Sequence, residues 1–169
     1  MLSLRHQPPN VRQRVVNPRT YNIQPHGYSL RHTTKCQNLD QMSYEIDLSA
    51  NQHAGDDSSW FLWPTFSFQI YPGNILNTYH WRPLSVDRVA AWRGWYTIDG
   101  VDSDVIRRLA IQDRITTVEE DIHLVESVQR GMNNRGYRPG LLVIGPESGV
   151  NSENSILVIH NWIREEMES

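Results

Sequence analysis

Apolar and polar positions alternate through the middle of the chain and change period in its last third. Over Thr65–Tyr71 every second residue is apolar, which places Phe66, Phe68 and Ile70 on one face of a strand. Pro72-Gly73 suits the central positions of a type II turn. Ile75–Pro83 then returns, with Asn77, Tyr79 and Trp81 on one side and Leu76, Thr78 and His80 on the other. Ser85–Asp87 predicts another turn. Arg88–Ile98 predicts a further strand bearing Trp92 and Trp95, closed by Asp99-Gly100. Upstream, Tyr21–Gln24 and Tyr28–Thr34 predict short strands around a His26-Gly27 turn, and the alternation of Tyr44, Ile46 and Leu48 predicts a third. Ala50–Ser59 is polar and acidic and reads as a surface loop.

From Asp102 the period becomes helical. Ile111, Ile115, Val118, Ile122, Val125 and Met132 are separated by steps of three, four and seven, which form one stripe on a helix over Asp102–Met132. The β-branched pair Thr116-Thr117 marks the place where that helix would bend. Gly131 or Gly136 can end it. Asn151–Met167 predicts a last helix with Ile156, Ile159, Ile163 and Met167 inward. An antiparallel meander followed by helices predicts an α+β fold.

Composition narrows the function classes. A chain of 169 residues predicts one domain with a real core. A net charge of −3 and a pI near 6.1 argue against a nucleic-acid or anionic-membrane surface. No apolar run approaches the ~18 residues of a membrane span, and Met1–Pro9 lacks the apolar core of a signal peptide. The single cysteine, Cys36, gives no disulfide framework and fits a reducing, cytoplasmic setting. Arg5, Arg12 and Arg14 with Pro8-Pro9 make residues 1–16 a loose basic arm ahead of a domain over 17–169. No nucleotide fingerprint, P-loop, zinc spacing or Gly-x-Ser-x-Gly elbow is present.

The candidate chemistry lies in the acids Glu119, Glu120 and Asp121. At about 100° per residue they point in different directions. Glu120 falls opposite the apolar stripe and Glu119 to one side, while Asp121 lies beside Val118 and Val125. A carboxylate turned toward an interior needs a partner, a proton or a metal. Thr117-Val118-Glu119-Glu120 also reads as a capping box, in which case the acids merely suit a helix N-terminus.

Glu120-Asp121, then Val125-Glu126, Val128-Gln129 and Gly131, then Arg135-Gly136-Tyr137 and Gly140, resembles the last part of a Rieske-type ring-hydroxylating oxygenase α subunit. Trp60-Phe61-Leu62-Trp63-Pro64, running into Ile70-Tyr71-Pro72-Gly73, is similar to that family's strand pair lining the substrate cavity. Together these matches cover roughly residues 17–165. The helical motif is the more specific of the two, and the nearest flavour is the branch acting on quaternary amines.

The resemblance implies a sheet gripping a long C-terminal helix around a cavity, a helix-grip of the START and Bet v1 type. It implies a C-terminal catalytic domain that uses O2 and NAD(P)H-derived electrons to hydroxylate or demethylate a small aromatic or quaternary-amine substrate. Electrons would arrive from a reductase or ferredoxin, and the complete protein would be a homotrimer or another homo-oligomer. Asp121 matches the family's carboxylate ligand to a mononuclear Fe(II). Gln129 would support the metal from behind or bond a strand carbonyl. Trp63, Asn77, Tyr79 and Trp81 would line the pocket, with aromatic faces suited to a cationic amine; strand aromatics equally serve as plain core.

The departures are specific. A Rieske [2Fe–2S] cluster needs two Cys and two His, so a chain with only Cys36 does not bind one. The family's His-x4-His is absent, and only His6 is placed to survive from it, in poor register. His26 and His32 read as a solvent-facing pair, His123 as outward and His160 as a core histidine. The runner-up readings are a non-catalytic small-molecule-binding domain of the same shape and an inactive oxygenase remnant.

Overall fold

The computed structural model describes residues 17–42, 44–46, 48–49, 52–145 and 152–169. Six antiparallel strands follow one another in sequence order across a single sheet: β1 (Asn22–His26), β2 (Ser29–Lys35), β3 (Asp56–Leu62), β4 (Phe66–Tyr71), β5 (Ile75–Ser85) and β6 (Arg88–Tyr96). Helix α1 (Asp104–Asp113) continues through a π turn (Arg114–Val118) into α2 (Glu119–Met132), and α3 (Asn154–Glu168) ends the chain. The fold is α+β, as the meander and the change of period predict.

The β4–β5–β6 meander forms where the alternation places it. Gly73 has φ 85°, the value a type II turn requires of glycine, and Asn74 adds a left-handed residue at φ 59°. A Cβ at Gly73 would also meet Tyr44 Cε2 at 3.3 Å. Two expectations upstream are corrected. Asp56–Leu62, half of it assigned to a surface loop, is a central strand paired to both β2 and β4. Its polar residues face partners within the sheet: Gln69 Nε2 donates to both carboxylate oxygens of buried Asp57, at 3.2 and 3.1 Å. The described residues of the Tyr44–Leu48 segment lie outside the strands. Tyr44 lies instead across the β4–β5 turn, its hydroxyl donating to Pro72 O at 2.7 Å. Burial, then the neighbouring Tyr71, Asp57 and Cys36, push that phenol well above its ordinary range.

Both faces of the sheet carry aromatic residues, and one of them carries the helices. Ile23, His32, Ser59, Gln69, Asn77 and Trp95 form one cross-strand row on this inner face. At the β1–β2 end, Trp162 of α3 is buried against Ile23 and Leu30, with Tyr21, Phe61, Trp63, Val158 and Ile159 packed around it. The inward face of α3 therefore runs through Val158, Ile159 and Trp162, whereas Ile156, Ile163 and Met167 are exposed. His160 is exposed rather than in the core, because the helix phase is set by the large Trp162 ring. The outer face holds a chain of ring contacts through Trp60, Phe68, Phe66, His80 and Trp92.

The predicted weak point at Thr116-Thr117 is the π turn. The amide of Glu119 donates to the carbonyl of Arg114, five residues back. Thr116 Oγ1 donates to Gln112 O at 2.8 Å, competing for a backbone acceptor of the helix. The stripe expected to pack on the sheet does not: Ile111, Ile115, Ile122, Val125 and Met132 are exposed, and α2 buries no residue. A periodic stripe shows that a helix has an apolar face; it does not name the element that covers it. The grip of the sheet on a long helix is thus not formed by α2 in the described residues.

Candidate functional site

On the inner face of β5, alternation puts Asn77, Tyr79 and Trp81 in a row, and the register sets Trp95, Arg93 and Ala91 of β6 opposite them. Asn77 is fully buried at 0% exposure. Its Nδ2 donates to Gly94 O at 2.9 Å, and its Oδ1 accepts from Arg93 Nε at 3.1 Å. Arg93 also forms an ion pair with Asp113, the last residue of α1. Its Cζ lies 4.1 Å from the centroid of Tyr79 and 5.1 Å from Trp95. Tyr79 stacks on Trp81 at 5.6 Å, and Tyr71 stacks on Trp95 at 5.6 Å. The result is a row of aromatic rings interrupted by one guanidinium, anchored from below by Asn77 and from the side by Asp113.

Three of the four predicted pocket residues, Asn77, Tyr79 and Trp81, therefore come together on one face. Trp63 lies on the same side but packs against Trp162, 6.0 Å between centroids, where it helps seat α3. Arg93 and Asp113 are not among the predicted site residues: Arg93 comes across from Tyr79 only through the register of β6 on β5, which the alternation of β6 does not fix. His32, expected to face solvent, is half-buried on the inner face. Its Nδ1 lies 2.8 Å from the Tyr21 hydroxyl, and burial holds its pKa below the ordinary value. His26 and His123 are exposed, as expected.

Asp121 stands exposed in the first turn of α2, together with Glu119 and Glu120. The interior setting predicted for it is not formed among the described residues, where α2 buries no side chain. Gln129 is half-buried, the most enclosed position of α2. His6 lies outside the described residues. Among the described residues no group of three or more His, Cys, Asp or Glu side chains is placed to hold a metal ion. These residues do not fit an Fe(II) ion on their own, since such a centre needs two imidazoles and a carboxylate on one face. Cys36 offers a single thiol in place of the two a Rieske cluster requires. A separate shallow cleft of about 320 Å³ opens beside the ends of β2 and β3, lined by Lys35, Cys36, Leu39, Leu48, His53 and Asp56. It contains none of the predicted site residues.

Comparison with known proteins gives this architecture a family. Residues 11–169 match the family described as "Ring hydroxylating alpha subunit (catalytic domain)". The choline monooxygenase, chloroplastic, of Spinacia oleracea is 30% identical over 111 residues, covering 64% of this chain and 23% of that protein. Its counterpart in Amaranthus tricolor is 28% identical over 108 residues, covering 62% and 22%. The chain thus spans about a quarter of the length of the curated relatives it matches. Among solved structures, the quaternary ammonium Rieske monooxygenase CntA in complex with an inhibitor superposes with a TM-score of 0.75 at 20% identity, covering 90% of this chain and 39% of that one. The match to the same enzyme bound to L-carnitine has a TM-score of 0.69 at 20% identity, covering 86% and 36%. With the family match running over nearly its whole length, the chain belongs to the ring-hydroxylating α-subunit catalytic-domain family of the Rieske oxygenases.

Proposed function

We propose that this chain is the C-terminal catalytic-domain portion of a Rieske non-haem iron oxygenase that hydroxylates or demethylates a small aromatic or quaternary-amine substrate. The observation that carries the reading is the family match over residues 11–169, joined to the Glu120-Asp121…Gly131 motif on α2. In this reading Asp121 supplies the carboxylate ligand, and the imidazoles come from sequence outside the described residues, with His6 the nearest candidate. Gln129 supports the metal from behind the ligand, and Asn77, Tyr79 and Trp81 form one wall of the substrate cavity, with Trp63 at its α3 end. O2 is the oxidant, electrons originate from NAD(P)H through a reductase or ferredoxin, and the [2Fe–2S] cluster belongs to a complete α subunit, which assembles as a homotrimer or another homo-oligomer in the cytoplasm. No helix among the described residues is long and apolar enough to cross a membrane.

A second reading, a non-catalytic small-molecule-binding domain or an inactive remnant, is supported by the exposure of Asp121 and the lack of a three-ligand cluster among the described residues. Iron content separates the two. The chain is produced together with whatever in-frame coding sequence lies upstream of Met1 and reconstituted with Fe(II). The oxygenase reading expects about one mononuclear iron per chain, lost in Asp121→Ala and retained in Glu120→Ala. Normal iron loading in Asp121→Ala would remove Asp121 from the site. An upstream sequence without a His-x4-His would favour the non-catalytic reading.

A further inference from the structure

The aromatic row on the inner face already holds a cation. Tyr79 and Trp95 present their rings to the Arg93 guanidinium at 4.1 and 5.1 Å, and Asp113 supplies the counter-charge. Two aromatic faces and a carboxylate are the groups with which a protein would hold an ammonium ion. Here the protein fills that seat with its own side chain. The seat is also held rigidly. Arg93 Nε donates to Asn77 Oδ1, while Asn77 is fully buried and donates to the β6 backbone at Gly94. Arg93 cannot swing aside without breaking the ion pair and leaving the Asn77 carbonyl without this donor, in a setting water does not reach.

We infer that Arg93 is a specificity-determining residue: its guanidinium occupies the aromatic seat between Tyr79 and Trp95 and turns a quaternary ammonium group away from that part of the inner face. This rests on the reading of that face as the substrate wall. Two effects act together. Arg93 takes the space, and its charge repels a second cation in surroundings of low dielectric. A cationic substrate must then place its ammonium group elsewhere, leaving a neutral portion against Tyr79 and Trp95.

Choline chloride is the probe, because its methyl protons report binding directly by nuclear magnetic resonance and the measurement needs no metal. The full chain is compared with Arg93→Ala, which opens the seat, and Arg93→Gln, whose shorter, uncharged amide ends before the position of the guanidinium. Either variant is expected to bind choline at least about tenfold more tightly than the wild type. Adding Asp113→Asn should remove much of that gain. Equal affinity in the wild type and in a folded Arg93 variant would overturn the inference. If neither variant folds, the wild type decides: choline binding abolished by Tyr79→Leu overturns it, and binding that is absent or indifferent to Tyr79→Leu upholds it. A failure here leaves the oxygenase reading standing. A failure of the iron-loading experiment leaves the measured role of Arg93 standing.

Discussion

Arg93 and Asp113 tie the last strand of the sheet to the last residue of α1 through an ion pair in which the side chains are only 15% and 14% exposed. The contact lies one residue before the π turn, so it fixes the point from which α2 departs. The two charges have given up most of their hydration, and their mutual attraction offsets that cost only while both are present.

Removing one partner is therefore the damaging change. Asp113→Ala is expected to cost ~3 kcal/mol, because it takes the carboxylate from a largely buried guanidinium. The double change Arg93→Met with Asp113→Leu should cost less than the sum of the two single changes, because it removes both charges together. Urea denaturation followed by tryptophan fluorescence measures both, and a loss below ~1 kcal/mol for Asp113→Ala would show that the pair carries little of the stability.

Asn77 is the buried polar hub of the same region. Asn77→Ala removes a donor to Gly94 O and an acceptor of Arg93 Nε. A loss of ~2–3 kcal/mol is expected, since both partners remain in place with less to bond. Asn77→Asp should also destabilise, because a carboxylate cannot donate to Gly94 O. Thermal unfolding of the two variants beside the wild type checks the order.

Trp162 seats α3 on the β1–β2 end of the sheet, where it meets Tyr28 and Trp63 as well as Ile23 and Leu30. Trp162→Ala is expected to cost ~3–5 kcal/mol, the range for deleting a large core aromatic. Exchange of the α3 amides with solvent deuterium should rise more than that of β4 and β5. The exposed Met167→Ala should change neither.

His32 gives the fold a pH dependence of definite sign. Burial depresses its pKa in the folded chain below the ordinary 6.5. The unfolded chain then takes up a proton more readily than the folded one as pH falls through about 6.5, so this contribution is complete above that pH and is lost below it. Melting temperature measured from pH 8 to pH 5 should fall toward the acid end, and more steeply than in His32→Gln. Parallel curves for the two proteins would exclude His32 as the cause.

Much of the fold was written in the order of residues. The alternation through Thr65–Tyr71 and Ile75–Pro83, the turn at Pro72-Gly73 and the switch to a helical period after Asp102 each rest on local chemistry, which needs no distant partner to be read. The weak point at Thr116-Thr117 was legible for the same reason, since β-branched threonines are local disturbances of a helix. What failed was whatever depended on partners. Asp56–Ser59 looks like a loop because its residues are polar, yet strands on both sides pair with its backbone and Gln69 satisfies Asp57. The stripe of α2 announces an apolar face but not a cover, and with it went the expectation that Asp121 would be enclosed.

The sequence by itself determined the α+β class, the central meander, the family motif around Asp121 and the presence of Asn77, Tyr79 and Trp81 on one face of β5. Which residue of β6 meets them was decided only by tertiary structure. Ser85 pairs with Arg88, but Pro83 pairs with Val89, so β5 carries one extra residue near the tip of the hairpin. Extending the register at the tip without that bulge would put Gly94 opposite Tyr79. With it, Arg93 stands there, and every side chain of β6 turns to the other face. The period of a strand is two, so a single inserted residue, invisible in the pattern of apolar and polar positions, moved a guanidinium to the inner face of the sheet.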